Sequence, residues 1–184
     1  LLQGRGDVDY RDVTERRDEL FHAAIEEFGR ALDRLAAGYE ADPELRHDLR
    51  QEIHLQLWRS FERFDGRCSL RTWTYRVAHN VAVTYVNRER RSHRGLVGLD
   101  QIEATAPAGE GEPDIDRQRA LERIRELVRQ LKPLDRQILI SYLEGMDAAA
   151  TAEIVGLSPA NVRMKIHRIK QVLAGRCSEE KRNA

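Results

Sequence analysis

The sequence predicts an all-α protein: two small helical domains joined by a flexible acidic linker, the C-terminal one a helix-turn-helix. Three observations carry this expectation. Apolar residues recur every three to four positions over most of the chain, and no stretch alternates as a half-buried strand does. One internal segment, 95–113, holds Gly98, Pro107, Gly109, Gly111 and Pro113 among acids and alanines, a composition that builds no core. After it, a short apolar helix, a glycine and a capped basic helix follow one another in helix-turn-helix order.

Residues 1–13 are polar and glycine-containing and are expected to be a disordered N-terminal segment. A first domain spans 14–94. Its first helix carries Leu20, Ala24, Phe28, Leu32, Leu35 and Tyr39 on one stripe, and Gly38 weakens its end. Asp42-Pro43-Glu44 restarts the chain: an N-cap, a proline at the first helical position and an acid near the positive end of the dipole. Leu45, Leu49, Ile53, Leu57 and Phe61 continue the stripe. Asp65-Gly66-Arg67 breaks it, and Ser69 can cap a third helix whose apolar side is Leu70, Trp73, Val77, Ala78, Val81 and Tyr85.

The linker spans 95–113 and the second domain 114–175. Ile115, Leu121, Ile124, Val128 and Leu131 form a stripe, Pro133 opens a helix that Gly145 closes, and a short helix follows at about 147–155. Gly156 turns the chain, Ser158-Pro159 opens the last helix, and Gly175 can end it before a tail at 176–184.

Charge and composition bound the function. The net charge is zero, yet it is unevenly distributed. Gly95–Asp116 holds six acids and no Lys or Arg, whereas Pro159–Ala184 holds seven bases against two acids and Arg88–Arg94 four Arg against one Glu. Two basic zones therefore flank an acidic one. The two cysteines, Cys68 and Cys177, are far apart, and the histidines form no HExxH pattern. Neither a disulfide framework nor a metal site is expected. There is no P-loop, no GxGxxG and no nucleophile beside a base, so no enzyme, cofactor or small-molecule substrate is expected. No apolar run is long enough for membrane insertion, and the start lacks a signal peptide's pattern; a cytoplasmic protein is expected.

Three groups of residues carry candidate function. On the last helix Val162, Ile166, Ile169 and Leu173 cluster toward a core. The opposite side carries Ala160, Arg163, Met164, His167, Arg168 and Gln171, with Asn161 and Lys165 on a flank. Arg can pair bidentately with guanine, and Met can touch a thymine methyl. The helix N-terminus at Ser158 favours a phosphate. The wheel alone equally fits a solvated cationic face; the glycine turn and the preceding short helix favour DNA.

On the third helix Arg76, Asn80, Val83, Asn87 and Arg90 recur at steps of four and three, flanked by Arg88 and Arg91. That stripe could follow a phosphate backbone or hold unstacked bases beside the Asp65–Ser69 loop. A polar surface explains it as well. On the second helix Asp48, Gln51 and Glu52 line an outer edge that suits a basic protein partner, or plain solvent. Trp58 and Trp73 could be stacking platforms, but their helical spacing fits core.

Together these residues resemble a bacterial RNA polymerase sigma factor of the extracytoplasmic-function type. The resemblance rests on DLRQEIHLQLWRSFERFDGRCSLRTWTYRVAHNVAVTYVNRERR (48–91), LKPLDRQILISYLEG (131–145) and TAEIVGLSPANVRMKIHRIKQVL (151–173), in that order around a linker. It implies that the first domain docks on core RNA polymerase through Asp48, Gln51 and Glu52, with Leu55 and Trp58 nearby. It also implies that Asp65, Gly66, Arg67 and Ser69, with Arg76, Asn80, Asn87, Arg88, Arg90 and Arg91, recognise and melt the downstream promoter element. The upstream element would fall to Ser158, Asn161, Arg163, Met164, Lys165, His167 and Arg168. Promoter DNA, core polymerase and a separate anti-sigma factor are the implied partners.

The chain departs from the family at Thr74, where Leu is usual, and at His79, where Arg is common. Ala150-Thr151 replaces a Glu-Ile pair, and Lys165 replaces a frequent Arg, losing a bidentate fork. Two other readings use the same helices. A helix-turn-helix regulator that binds duplex alone would need a dimer seam, and no long heptad seam is present. A helical protein–protein adaptor would leave both basic faces without a purpose.

Overall fold

The computed structural model describes the backbone of residues 10–94 and 113–183, and side chains over 13–88 and 121–174. Seven α-helices make up the described chain: α1 Tyr10–Tyr39, α2 Pro43–Ser60, α3 Leu70–Arg94, α4 Pro113–Gln130, α5 Pro133–Leu143, α6 Ala148–Val155 and α7 Pro159–Asn183. A short 3₁₀ turn, Phe61–Arg63, follows α2. No strand occurs among the described residues. The acidic segment 95–112 and residues 1–9 lie outside them.

The predicted punctuation is present. Asp42 caps α2, its carboxylate accepting from the amides of Glu44 and Leu45. Ser69 Oγ accepts from Thr72 N at 3.0 Å at the start of α3. Asp147 caps α6 and Gly156 ends it in the left-handed conformation, φ +72°. Each satisfies backbone groups that the first or last helical turn leaves unpaired.

Three boundaries differ from expectation. Helix α1 starts at Tyr10, inside the segment expected to be disordered. Gly38 does not weaken its end; α1 runs through it to Tyr39. The glycine sits against α5: a Cβ here would lie 2.8 Å from Ile140 Cδ1, the end of a side chain that would have to shift. Helix α7 passes Gly175 and continues to Asn183. A lone glycine costs a helix only about 1 kcal/mol, and Arg176, Glu179, Glu180, Lys181 and Arg182 are straight-chain helix formers.

Helices α1, α2 and α3 pack on one another, as do α5, α6 and α7. These are the two helical domains. They also meet: α4 lies on α1, α6 on α3, and α5 on both α1 and α3. One apolar cluster therefore runs from Ala24 and Leu32 in α1 through Tyr75 in α3 to Ile138 in α5 and Val162 in α7.

This sandwiching revises the reading of α3. Its deepest residues are Thr74, Tyr75, Ala78, His79 and Ala82, whereas Trp73, Val77 and Val81 are only half-buried. A helix covered on two sides buries more than one stripe, here with Thr74 and His79 in the second. Helix α4 is revised in the opposite sense. Leu121 and Ile124 are 44% and 48% exposed, and among its described side chains only Leu127 and Val128 are buried.

That end of α4 is closed by a buried arginine. Arg136 of α5 is 3% exposed and donates to the carbonyls of Val128, Arg129 and Leu131. Its charge sits at the negative pole of α4 and satisfies carbonyls that have no partner within the helix.

Candidate nucleic-acid interface

The C-terminal helix-turn-helix is built by α6, the Gly156 turn and α7. Val162 and Ile169 are buried beneath α7, with Ile166 and Leu173 half-buried beside them. Ser158 Oγ accepts from Asn161 N at 3.3 Å and orders the first turn. Asn161, Arg163, Met164, His167 and Arg168 are then exposed on one side, Met164 by 68%. His167 is paired with Gln171 across one turn at 3.1 Å. Lys165 is different: its ammonium lies 2.7 Å from Asp135 of α5.

The Asp65–Ser69 loop is ordered by its own polar groups. Asp65 accepts from Arg67 N at 3.1 Å and pairs with the Arg67 guanidinium at 3.0 Å. Gly66 supplies the φ of +75° that this turn needs. Arg67 thus stands 90% exposed but already carries an acid beside it.

Along α3 the predicted stripe divides. Asn80, Asn87 and Arg88 are exposed, and the Arg88 guanidinium lies 5.2 Å from the Tyr85 ring centre. Arg76 is half-buried and donates to the carbonyl of Glu153 in α6 at 2.9 Å. Arg90 and Arg91 lie on the backbone of α3, with side chains outside the described residues. A cleft of about 250 Å³ between α2 and α3 brings Asn80 and Arg88 together with Glu52, Gln56 and Thr84. Gln56 and Thr84 were not singled out in the sequence. Their spacing of four from Glu52 and from Asn80 and Arg88 was the available signal.

On the outer face of α2, Asp48 and Gln51 are exposed, Glu52 is half-buried and Leu55 is 41% exposed. Glu52 accepts from Gln56 at 2.9 Å, and Gln51 pairs with His47 at 2.9 Å. Trp58 is tied down: its indole donates to Asp18 at 2.8 Å, and the Arg17 guanidinium covers its ring at 3.5 Å. Trp73 donates to Ser60 at 2.9 Å and packs edge-on against Phe64. Both tryptophans therefore hold the domain together.

Among the described residues, no group of His, Cys, Asp and Glu could hold a metal, and no helix is long and apolar enough to cross a membrane.

Residues 24–92 match the family described as Sigma-70 region 2, and residues 121–173 match Sigma-70, region 4. The chain belongs to the sigma-70 family, in its extracytoplasmic-function branch. The ECF RNA polymerase sigma factor SigG of Mycobacterium tuberculosis is 33% identical over 159 residues, covering 81% of this chain. The chain spans 39% of the length of SigG. The ECF RNA polymerase sigma factor SigX of Bacillus subtilis is 24% identical, over 72% of this chain and 70% of SigX. Among solved structures, CnrH in complex with the cytosolic domain of CnrY matches with a TM-score of 0.65 at 19% identity, over 92% of this chain and 94% of that one. The sigma factor RpoE of Bartonella quintana, in complex with the anti-sigma factor NepR, matches with 0.63 at 18% identity, over 82% and 92%. These likenesses show a shared fold.

Three of the departures from the family pattern, Thr74, His79 and Thr151, have no exposed surface, whereas Ala150 and Lys165 are half-buried. His79 lies between Tyr39 Oη at 3.1 Å from Nδ1 and Ser141 Oγ at 3.2 Å from Nε2. A neutral imidazole satisfies both, since one ring nitrogen donates and the other accepts. Burial pushes its pKa down to about 3, because the imidazolium would be stripped of water there.

Proposed function

We propose that this chain is a sigma factor that captures core RNA polymerase, recognises the upstream and downstream promoter elements and promotes melting at the start site. The observation that carries the reading is the pairing of two basic faces on two family regions: the exposed side of α7 and the exposed part of α3 beside the ordered Asp65–Ser69 loop. In this reading Arg163, Met164, His167 and Arg168 approach base edges and Ser158 and Asn161 serve a phosphate. Lys165 contributes charge near the backbone while it holds Asp135. Asn80, with Arg88 in the same cleft, receives an unstacked base or its phosphate. Asp48, Gln51, Glu52 and Leu55 form the polymerase-facing edge, supported from behind by Trp58.

No bond is made or broken by the chain. Binding of two DNA elements and of polymerase shifts the closed–open equilibrium of the duplex, where each disrupted base step costs a few kcal/mol. The zero net charge suits a factor that binds duplex weakly alone, with polymerase supplying much of the phosphate neutralisation. The activity places the chain in the cytoplasm, under the control of a separate anti-sigma factor. The deciding experiment mixes the protein with core RNA polymerase and promoter fragments and sequences the transcripts. New start sites are expected; their absence, with tight duplex binding by the protein alone, would favour an ordinary helix-turn-helix regulator instead.

A further inference from the structure

The front of α1 is held to α2 more loosely than the rest of the helix. None of the side chains at 13–23 is buried; full burial begins at Ala24. Two layers of contact hold this stretch, one helical turn apart on both helices. The Phe21 ring meets His54 edge-on, with centres 6.2 Å apart. One turn away, Arg17 covers the Trp58 ring while Asp18 accepts from its indole. Arg17 also reaches the carboxylates of Asp18 and Glu62, both at 3.6 Å.

These contacts are incompletely satisfied. Arg17 Nε and His54 Nε2 are buried and make no hydrogen bond among the described residues. Both ion pairs of Arg17 are longer than a hydrogen bond. A cleft of about 670 Å³ opens at the same place, with Arg17, Trp58, Ser60, Arg63 and Trp73 among its walls. Buried polar groups without partners weaken the contact they sit in, because each recovers water when the helices part. A stretch with few buried apolar groups and such unsatisfied ones opens locally before the domain unfolds.

What this stretch covers is the end of a stripe. Asp48, Gln51, Leu55 and Trp58 recur at steps of three, four and three, so they share one side of α2. The first three are exposed, and the fourth lies under α1. We propose that the front of α1 is a strap that withholds Trp58 from core RNA polymerase, and that polymerase lifts it on docking. The inference rests on the reading that this edge of α2 meets polymerase. The exposed residues begin the contact, so the strap does not block it. Lifting then adds an indole with its ring and N–H both freed, a side chain of the kind that anchors interfaces. A strap lifted about one-tenth of the time withholds up to about tenfold in affinity from a partner that needs it open.

Hydrogen exchange on the full chain, alone and bound to core RNA polymerase, reads the strap directly. Amides at 13–22 are expected to exchange faster in the complex, while those along α2 become protected. A second arm uses Arg17→Gln combined with Asp18→Ala, which frees the indole and leaves α2 unchanged. In a Trp73→Phe background Trp58 is the one remaining tryptophan, and acrylamide quenching reads its exposure. Expected are stronger quenching, unchanged helix content by circular dichroism, and polymerase capture tightened by up to about tenfold. Adding Trp58→Ala is expected to cancel that gain. Slower or unchanged exchange at 13–22 in the complex would overturn the proposal, whether or not the variants fold. So would an exposed indole with no gain in capture. If no complex with core polymerase forms at all, the sigma reading fails; a complex formed with the strap still down sinks this proposal alone.

Discussion

Lys165 of α7 and Asp135 of α5 form an ion pair at 2.7 Å across the helix-turn-helix. The pair ties α7 to α5. Both side chains are partly exposed, so the bond contributes only about 0.2–1 kcal/mol to stability. Lys165→Ala is therefore expected to lower the melting temperature slightly and to weaken all promoters alike. Binding measured across a set of upstream-element variants checks this; a change in base preference at one position would show that Lys165 reads that base.

Arg168 and Gln51 separate the two grips. Arg168→Ala is expected to relax discrimination at one upstream position, on the scale of about 1–3 kcal/mol for a lost bidentate pair, with polymerase capture unchanged. Gln51→Ala is expected to weaken capture of core polymerase and leave duplex preference alone. Pull-down with core polymerase and a promoter-variant binding series measure both. The opposite pattern would reverse the assignment of the two halves.

His79 gives the protein an acid-sensitive seam. Its pKa falls from the ordinary value of 6.5 to about 3 in the folded protein. The unfolded chain therefore binds the extra proton over that window, and stability rises with pH through it. The contribution is complete above about 6.5 and is lost progressively as the pH falls toward 3. The groups around the imidazole are Tyr39, Tyr75 and Ser141, with Arg136 over the Tyr39 ring and Arg71 over the Tyr75 ring. Burial is the cause of the shift, and the Glu144 carboxylate lies near Tyr75 on the same side as Arg71. Urea midpoints between pH 7 and pH 4 are expected to fall more steeply for the wild type than for His79→Gln; parallel curves would refute a role for this ring.

Arg136 is the buried charge on which the junction of α4 and α5 depends. Arg136→Leu removes the donors to the carbonyls of Val128, Arg129 and Leu131 and is expected to destabilise the protein by about 3 kcal/mol. Denaturant unfolding measures this. A loss under about 1 kcal/mol would mean that water replaces the guanidinium at those carbonyls.

Much of this molecule is local, and local features were legible in the sequence. The Asp42, Ser69 and Asp147 ends, the Gly156 turn and the Val162–Ile169 stripe follow from the backbone chemistry of single helices. The exposure of Arg163, Met164, His167 and Arg168 follows from the same helical period. Lys165 did not, because its partner is thirty residues away in the chain.

By itself the sequence determined the helices, the capped ends at Asp42, Ser69, Asp147 and Gly156 and which side of α7 faces outward, since each depends on neighbours within about four residues. Tertiary structure alone decided that α3 would be covered on two sides, that Thr74 and His79 would be core, and that Gly38 would mark a close approach instead of a helix end. The reason is physical: a polar side chain reads as surface until a second layer arrives with a partner for it. For His79, that partner is Ser141, on a helix of the other domain.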